Sequence, residues 1–161
     1  LRIKAIKTTV DENTQPLQGI VDEIVGEHCN VLDEYMKQVD EALCSDKQPT
    51  TKMLEDMLLN INSILYWAGN GLEKSTLKEG VAKMVKEERY NTEYNEATGT
   101  IADKTAYAKL ESQEEELVRQ CFTAAVKLYQ HKIDRASEMA SSLKKIITHR
   151  ISEMELSRSV I

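Results

Sequence analysis

After Pro49 this chain has no proline, and after Gly99 it has no glycine. These two residues are the strongest punctuators of helices. Their absence predicts one uninterrupted helix from Thr100 to Ile161. A helix that long cannot be hidden in a globule of its own making, so a rod or one stave of an assembly is expected. Aromatic residues are scarce at 5%, with one Trp and one Phe, against an apolar fraction of 41%. That balance favours helices over sheets. Two prolines in 161 residues also argue against a loop-rich or disordered chain.

Cysteine is sparse too. Cys29, Cys44 and Cys121 are odd in number and far apart, each within a helical pattern. They read as buried small hydrophobes and free thiols, which suits a reducing cytoplasm. There is no run of 18 apolar residues, so no membrane span is expected. The sequence opens with Leu1, so an initiator Met is expected to have been removed, and nothing nearby resembles a signal peptide. His28, His131 and His149 form no metal-ligand spacing with each other or with cysteine. No Gly-rich phosphate loop follows a strand. Glu114, Glu115 and Glu116 read as a solvated helix face. No catalytic residue, metal or cofactor is expected, and the chain does not read as an enzyme.

The formal net charge of −6 lies wholly in the first part of the chain. Residues 1–70 hold 6 basic and 12 acidic side chains, whereas residues 71–161 hold 15 of each. The later part can therefore display basic patches despite the acidic total.

Residues 1–15 read as an arm or edge strand followed by a turn, with Pro16 in a first helical turn. An acidic amphipathic helix over about 16–44, within a segment ending at 48, carries an apolar stripe from Val21 through Ile24, Val25, His28 and Leu32 to Leu43. Ser45 to Pro49 is a break. A second helix starts near Thr50 or Thr51, either of which can cap it. Its stripe runs through Leu54, Ile61, Leu65 and Leu72, then resumes at Leu77, Val81, Met84 and Val85. Gly69-Asn70-Gly71 is expected to kink this helix without ending it, since two glycines cost only about 2 kcal/mol. A turn at 97–100 follows, where Thr100 and Asp103 form a capping-box pattern. The third helix has an apolar stripe wider than one seam. One part can pack on the preceding helix as an antiparallel hairpin over 50–161. The other part, Leu117, Cys121, Leu128, Met139, Leu143 and Ile147, is expected to face a neighbouring subunit.

Two basic stretches remain. Lys74, Lys78, Lys83, Lys86 and Arg89 descend the second helix and lead to Tyr90 and Tyr94. Lys127, Lys132, Arg135, Lys144, Lys145, His149, Arg150 and Arg158 lie along the third. Cations interleaved with rings suit single-stranded nucleic acid, because cations meet phosphates and rings stack on bases. The plain alternative is surface charge balanced by Glu79, Glu87 and Glu88.

A Lys/Arg-rich helix ends in tyrosines, and the turn Ala97-Thr98-Gly99-Thr100-Ile101-Ala102-Asp103 leads into a long helix through Leu128-Tyr129 to Arg150. Over roughly residues 52–156 this resembles small helical bacteriophage proteins similar to the UvsY-type recombination mediators. The resemblance implies an all-helical homo-oligomer that binds single-stranded DNA and helps load a recombinase onto strands coated with single-strand-binding protein. It implies action in the bacterial host cytoplasm. It places Lys83, Lys86, Arg89 and Tyr90 at that family's basic-aromatic helix end, with Tyr94 one turn further on. The acidic first 50 residues and the negative total depart from the family's pattern.

The fold expected is thus all-α, a long antiparallel helical hairpin with an added N-terminal helix, assembling into an oligomer. Two rival functions use the same fold. One is a structural or adaptor protein of virion assembly. The other is an inhibitor that engages a host factor through its acidic helix.

Overall fold

The computed structural model describes residues 2–159. The ends of the expected arm and hairpin, residue 1 and residues 160–161, lie outside them. The described residues form four helices, α1 (Arg2–Leu43), α2 (Thr51–Glu96), α3 (Ile101–Glu111) and α4 (Gln113–Ser159). The described residues are 92% helical, and no strand occurs among them. The all-α class read from composition is what the structure has.

Three local expectations change. Residues 2–15 are not a separate arm or edge strand but the first turns of α1, and Pro16 lies inside that helix. Thr8 and Thr9 return their hydroxyls to the carbonyls of Lys4 and Ala5, at 3.1 and 3.0 Å. Pro16 removes one backbone donor, which would have served the carbonyl of Glu12. Both residues are exposed, so water can take that role. Second, the last helix is not one piece. Ser112 separates α3 from α4, with its buried hydroxyl donating to the Ala108 carbonyl at 2.7 Å. A serine bonding back one turn competes with the helix ladder and bends it. Third, Cys44 is exposed, since it sits just past the end of α1, while Cys29 and Cys121 are buried; all three are free thiols.

Other local signals hold. Thr50 Oγ1 accepts the Met53 N–H at 3.2 Å and caps α2. α2 runs unbroken through Gly69-Asn70-Gly71. Gly71 has a packing role: a Cβ there would lie 2.0 Å from the Tyr129 hydroxyl and 2.7 Å from His28 Cβ. Only glycine allows that close approach.

The described residues form two compact units. One holds residues 2–27 and 72–128, the other 28–71 and 129–159. In the second unit Leu32, Val39, Leu54, Ile61, Tyr129 and Leu143 are fully buried. Tyr35 Oη accepts a hydrogen bond from Asn60 Nδ2 at 3.1 Å, Lys132 pairs with Asp33, and Arg150 donates to the Pro49 carbonyl at 2.6 Å.

The first unit is built differently. Its buried residues on α2, α3 and α4 are mostly small, namely Ser75, Ala82, Ala108, Cys121 and Ala125. Leu77, Val81, Met84 and Val85, expected from their spacing to point inward, face outward instead, Leu77 with 71% of its surface exposed. The inward face carries Ser75, Ala82 and the acid Glu93. Glu79 accepts the Thr123 hydroxyl at 2.6 Å, so a polar contact replaces an apolar one. Small side chains let helix backbones approach closely, and that selects this face over the larger apolar one.

Candidate nucleic-acid interface

The basic-aromatic end of α2 is positioned by the turn that follows it. Gly99 adopts φ of +111°, a left-handed conformation that ordinary side chains avoid. The Thr100 N–H donates to Asp103 Oδ2 at 3.0 Å, and the Asp103 N–H donates to Thr100 Oγ1 at 3.3 Å. This is the expected capping box with aspartate in the acid's place. The Thr100 hydroxyl, donating to Asp103 Oδ2 at 2.7 Å, and then the Thr100 N–H hold the Asp103 carboxyl below its ordinary range. The turn sets the start of α3 beside the end of α2.

Four side chains then form a ladder. Tyr90 and Tyr94, one helical turn apart, stack with centroids 6.2 Å apart and planes at 23°. Lys86 Nζ lies 5.6 Å from the Tyr90 centroid, and Lys104 Nζ lies 5.9 Å from that of Tyr94. Both distances are within cation–π range. Sequence reasoning singled out Lys86, Tyr90 and Tyr94 but missed Lys104. The signal was present: counting equally outward from the 97–100 turn pairs position 94 with about position 104.

Four of the five cations of the α2 stretch also meet an acid. Lys83 is 4.0 Å from Glu87, Lys86 is 3.9 Å from Glu116, and Arg89 is 2.9 Å from the buried Glu93. Lys78 is 3.7 Å from Glu27. Glu116 also receives two hydrogen bonds from Arg119, at 2.6 and 2.9 Å, and one from Gln120 at 3.0 Å. These bonds, the Arg119 pair foremost, pull its carboxyl down to about 2. The far side of the ladder is acidic as well. A pocket of about 550 Å³ there is lined by Glu96, Asp103 and Tyr107. Glu111 and then Glu93 raise the Tyr107 phenol above its ordinary value.

The second basic stretch is partly committed to the chain itself. Lys132 and Arg150 hold Asp33 and the Pro49 carbonyl, and His149 lies 3.5 Å from Glu153. The row expected to face another subunit is largely turned inward. Cys121, Leu143 and Ile147 are buried by the chain's own helices, Leu128 and Met139 are half-buried, and Leu117 alone of the six is exposed. A broad stripe read from sequence cannot say which of its edges the chain itself will cover.

Among the described residues no group of three or more His, Cys, Asp or Glu side chains is placed to hold a metal. None of the described helices is long and apolar enough to cross a membrane. Burial pushes the Cys29 thiol above its ordinary value, which keeps it protonated and unreactive. Comparison with family models, with curated proteins and with solved structures gives no match.

Proposed function

We propose that this chain is a non-catalytic single-stranded-DNA accessory protein, of the phage recombination-mediator kind, working as a homo-oligomer in the host cytoplasm. The Lys86–Tyr90–Tyr94–Lys104 ladder is the observation that carries this reading. It offers stacking faces for bases with cations at either end for phosphates. The acid partners do not forbid it. Exposed ion pairs contribute only about 0–1 kcal/mol, so a phosphate can displace Glu87 from Lys83, while Lys86 and Arg89 keep less exposed partners in Glu116 and Glu93. Lys83 and Glu87 are both more than half exposed. The helical arrangement is read as a long antiparallel hairpin about the 97–100 turn. In the first unit the pairs Glu79–Thr123 and Lys86–Glu116 support that sense, because one number rises as the other falls. The mechanism is mass action. Repeated patches hold one strand by avidity and shift its occupancy between a single-strand-binding protein and a recombinase.

Fluorescence anisotropy with a labelled 30-mer single strand tests this. Affinity should fall linearly on a log–log salt plot, by about −0.7 per phosphate neutralised. Lys86→Ala with Arg89→Ala should lower both slope and affinity. Tyr90→Ala should cost about 1–3 kcal/mol if a base stacks there. Absence of binding at low salt sinks the reading.

A second reading is favoured by one specific observation, the outward apolar face of α2 at Leu77, Val81, Met84 and Val85. Such a patch belongs to a protein contact. In that case the chain is an adaptor or assembly protein, and the single strand does not bind.

A further inference from the structure

The outward face of α2 and the start of α4 enclose a groove of about 510 Å³ in the first unit. Leu77, Val81, Val85, Val118 and Phe122 give it an apolar lining, and Glu114 and Glu115 stand along it. Glu115 carries the unusual feature. Its Oε2 is buried and has no hydrogen-bond partner. A buried, unpaired carboxylate oxygen is costly and awaits a donor. Lys78, the cation of this lining, lies 3.7 Å from Glu27.

The same chain carries a segment with the complementary chemistry. The first turns of α1 expose Ile3, Ile6 and Val10, Ile3 at 84%. Their spacing of three and four puts them on one helical face. Beside them stand Arg2, Lys4 and Lys7, with no acid before Asp11. The Ile3–Val10 row covers about 10 Å of helix, and the Leu77–Val85 row about 12 Å. It is Glu27 of α1 that lies beside the groove's own Lys78, about 25 Å along the continuous helix from Val10, so the segment cannot reach the groove of its own chain without breaking α1.

We infer that the exposed α1 segment around residues 2–10 of one copy docks in the Leu77–Val85–Phe122 groove of a second copy, with Lys4 or Lys7 donating to Glu115. The contact joins two different surfaces, so it is heterologous. Repeated by one rotation, it closes a ring or extends a filament. This deepens the homo-oligomer part of the proposed function and does not depend on nucleic acid.

Light scattering on the full chain tests it with two variants at exposed positions, where folding is not at stake. Ile6→Glu spoils the segment and Val81→Glu spoils the groove. Wild type should run at a multiple of 18.3 kDa, and each variant alone at 18.3 kDa. Mixed in equal amounts, the variants should restore one contact and give a 1:1 pair, because one supplies an intact groove and the other an intact segment. Circular dichroism should show all three equally helical. A wild-type chain that stays at 18.3 kDa at 100 μM overturns the inference and leaves the groove to a foreign partner. A variant that keeps the wild-type mass overturns it and assigns assembly to another surface, such as Leu117. Failure of the mixture to pair overturns it too. Anisotropy with the 30-mer, run on the same samples, scores the nucleic-acid reading separately.

Discussion

The two units differ in what they bury. The unit of residues 28–71 and 129–159 buries large side chains completely, with Tyr129, Leu32, Leu54, Ile61 and Leu143 at its core. The unit of residues 2–27 and 72–128 buries mainly small ones on α2, α3 and α4, and leaves Leu77, Val81, Val85, Leu117 and Val118 exposed. Burial of a large apolar side chain contributes about 1.5–3 kcal/mol, whereas an alanine contributes far less. The difference lies in the core and not in the surface, because both units expose large apolar side chains, Leu59, Tyr66 and Trp67 among them in the first.

Equal truncations in the two bodies should break or sharpen that contrast. Leu143→Ala empties a fully buried position and should destabilise by about 2–5 kcal/mol. Val81→Ala, at a position 52% exposed, should stay within about 0.5 kcal/mol. Urea unfolding at concentrations low enough to suppress self-association measures both. Equal losses would show that the outward face of α2 is in fact packed.

The next largest effect lies where α2 passes Tyr129. Gly71→Ala should cost about 1–3 kcal/mol, because the new Cβ overlaps the Tyr129 hydroxyl. That hydroxyl is buried and makes no hydrogen bond of good geometry; the Cys29 thiol beside it is a poor partner. Tyr129→Phe alone should therefore change stability by no more than about 1 kcal/mol, toward the stable side. In the double variant the phenyl ring should recover part of the alanine's cost. Additive losses in thermal unfolding would place the clash at His28 instead.

The opening of α3 gives a smaller effect, confined to the other unit. Thr100→Ala removes the hydroxyl that accepts from the Asp103 N–H and donates to its carboxylate, keeps the backbone N–H bond, and should cost about 1 kcal/mol. Hydrogen exchange should report the loss at residues 101–104, with residues 129–147 unchanged. The smallest effect is on pH. The Glu116 carboxyl is held down to about 2 in the folded chain, below its ordinary value of 4.5. A lowered folded value means that its contribution is present above about pH 4.5 and is lost as pH falls toward 2. Wild type should lose stability faster than Glu116→Gln across that interval. Parallel curves would mean that the Arg119 pair contributes nothing in water.

The sequence by itself determined what depends on neighbours within about one helical turn. The helix-rich class, the break at Ser45–Pro49, the Thr50 cap, the turn at 97–100 and the Thr100–Asp103 box were all legible, because each is a local hydrogen-bond or backbone-dihedral matter. Tertiary structure decided what depends on a partner across space. It turned Ser75 and Ala82 inward and Leu77 and Val81 outward, although the apolar count along α2 argues the reverse. It gave Gly71 its purpose through Tyr129, 58 positions away, and gave Lys86 an acid on α4. It set Lys104 over Tyr94 and buried Cys121, Leu143 and Ile147 of the row expected to face another subunit. A helix presents all its faces at once, and only the shape and charge of what lies against it select which one is buried.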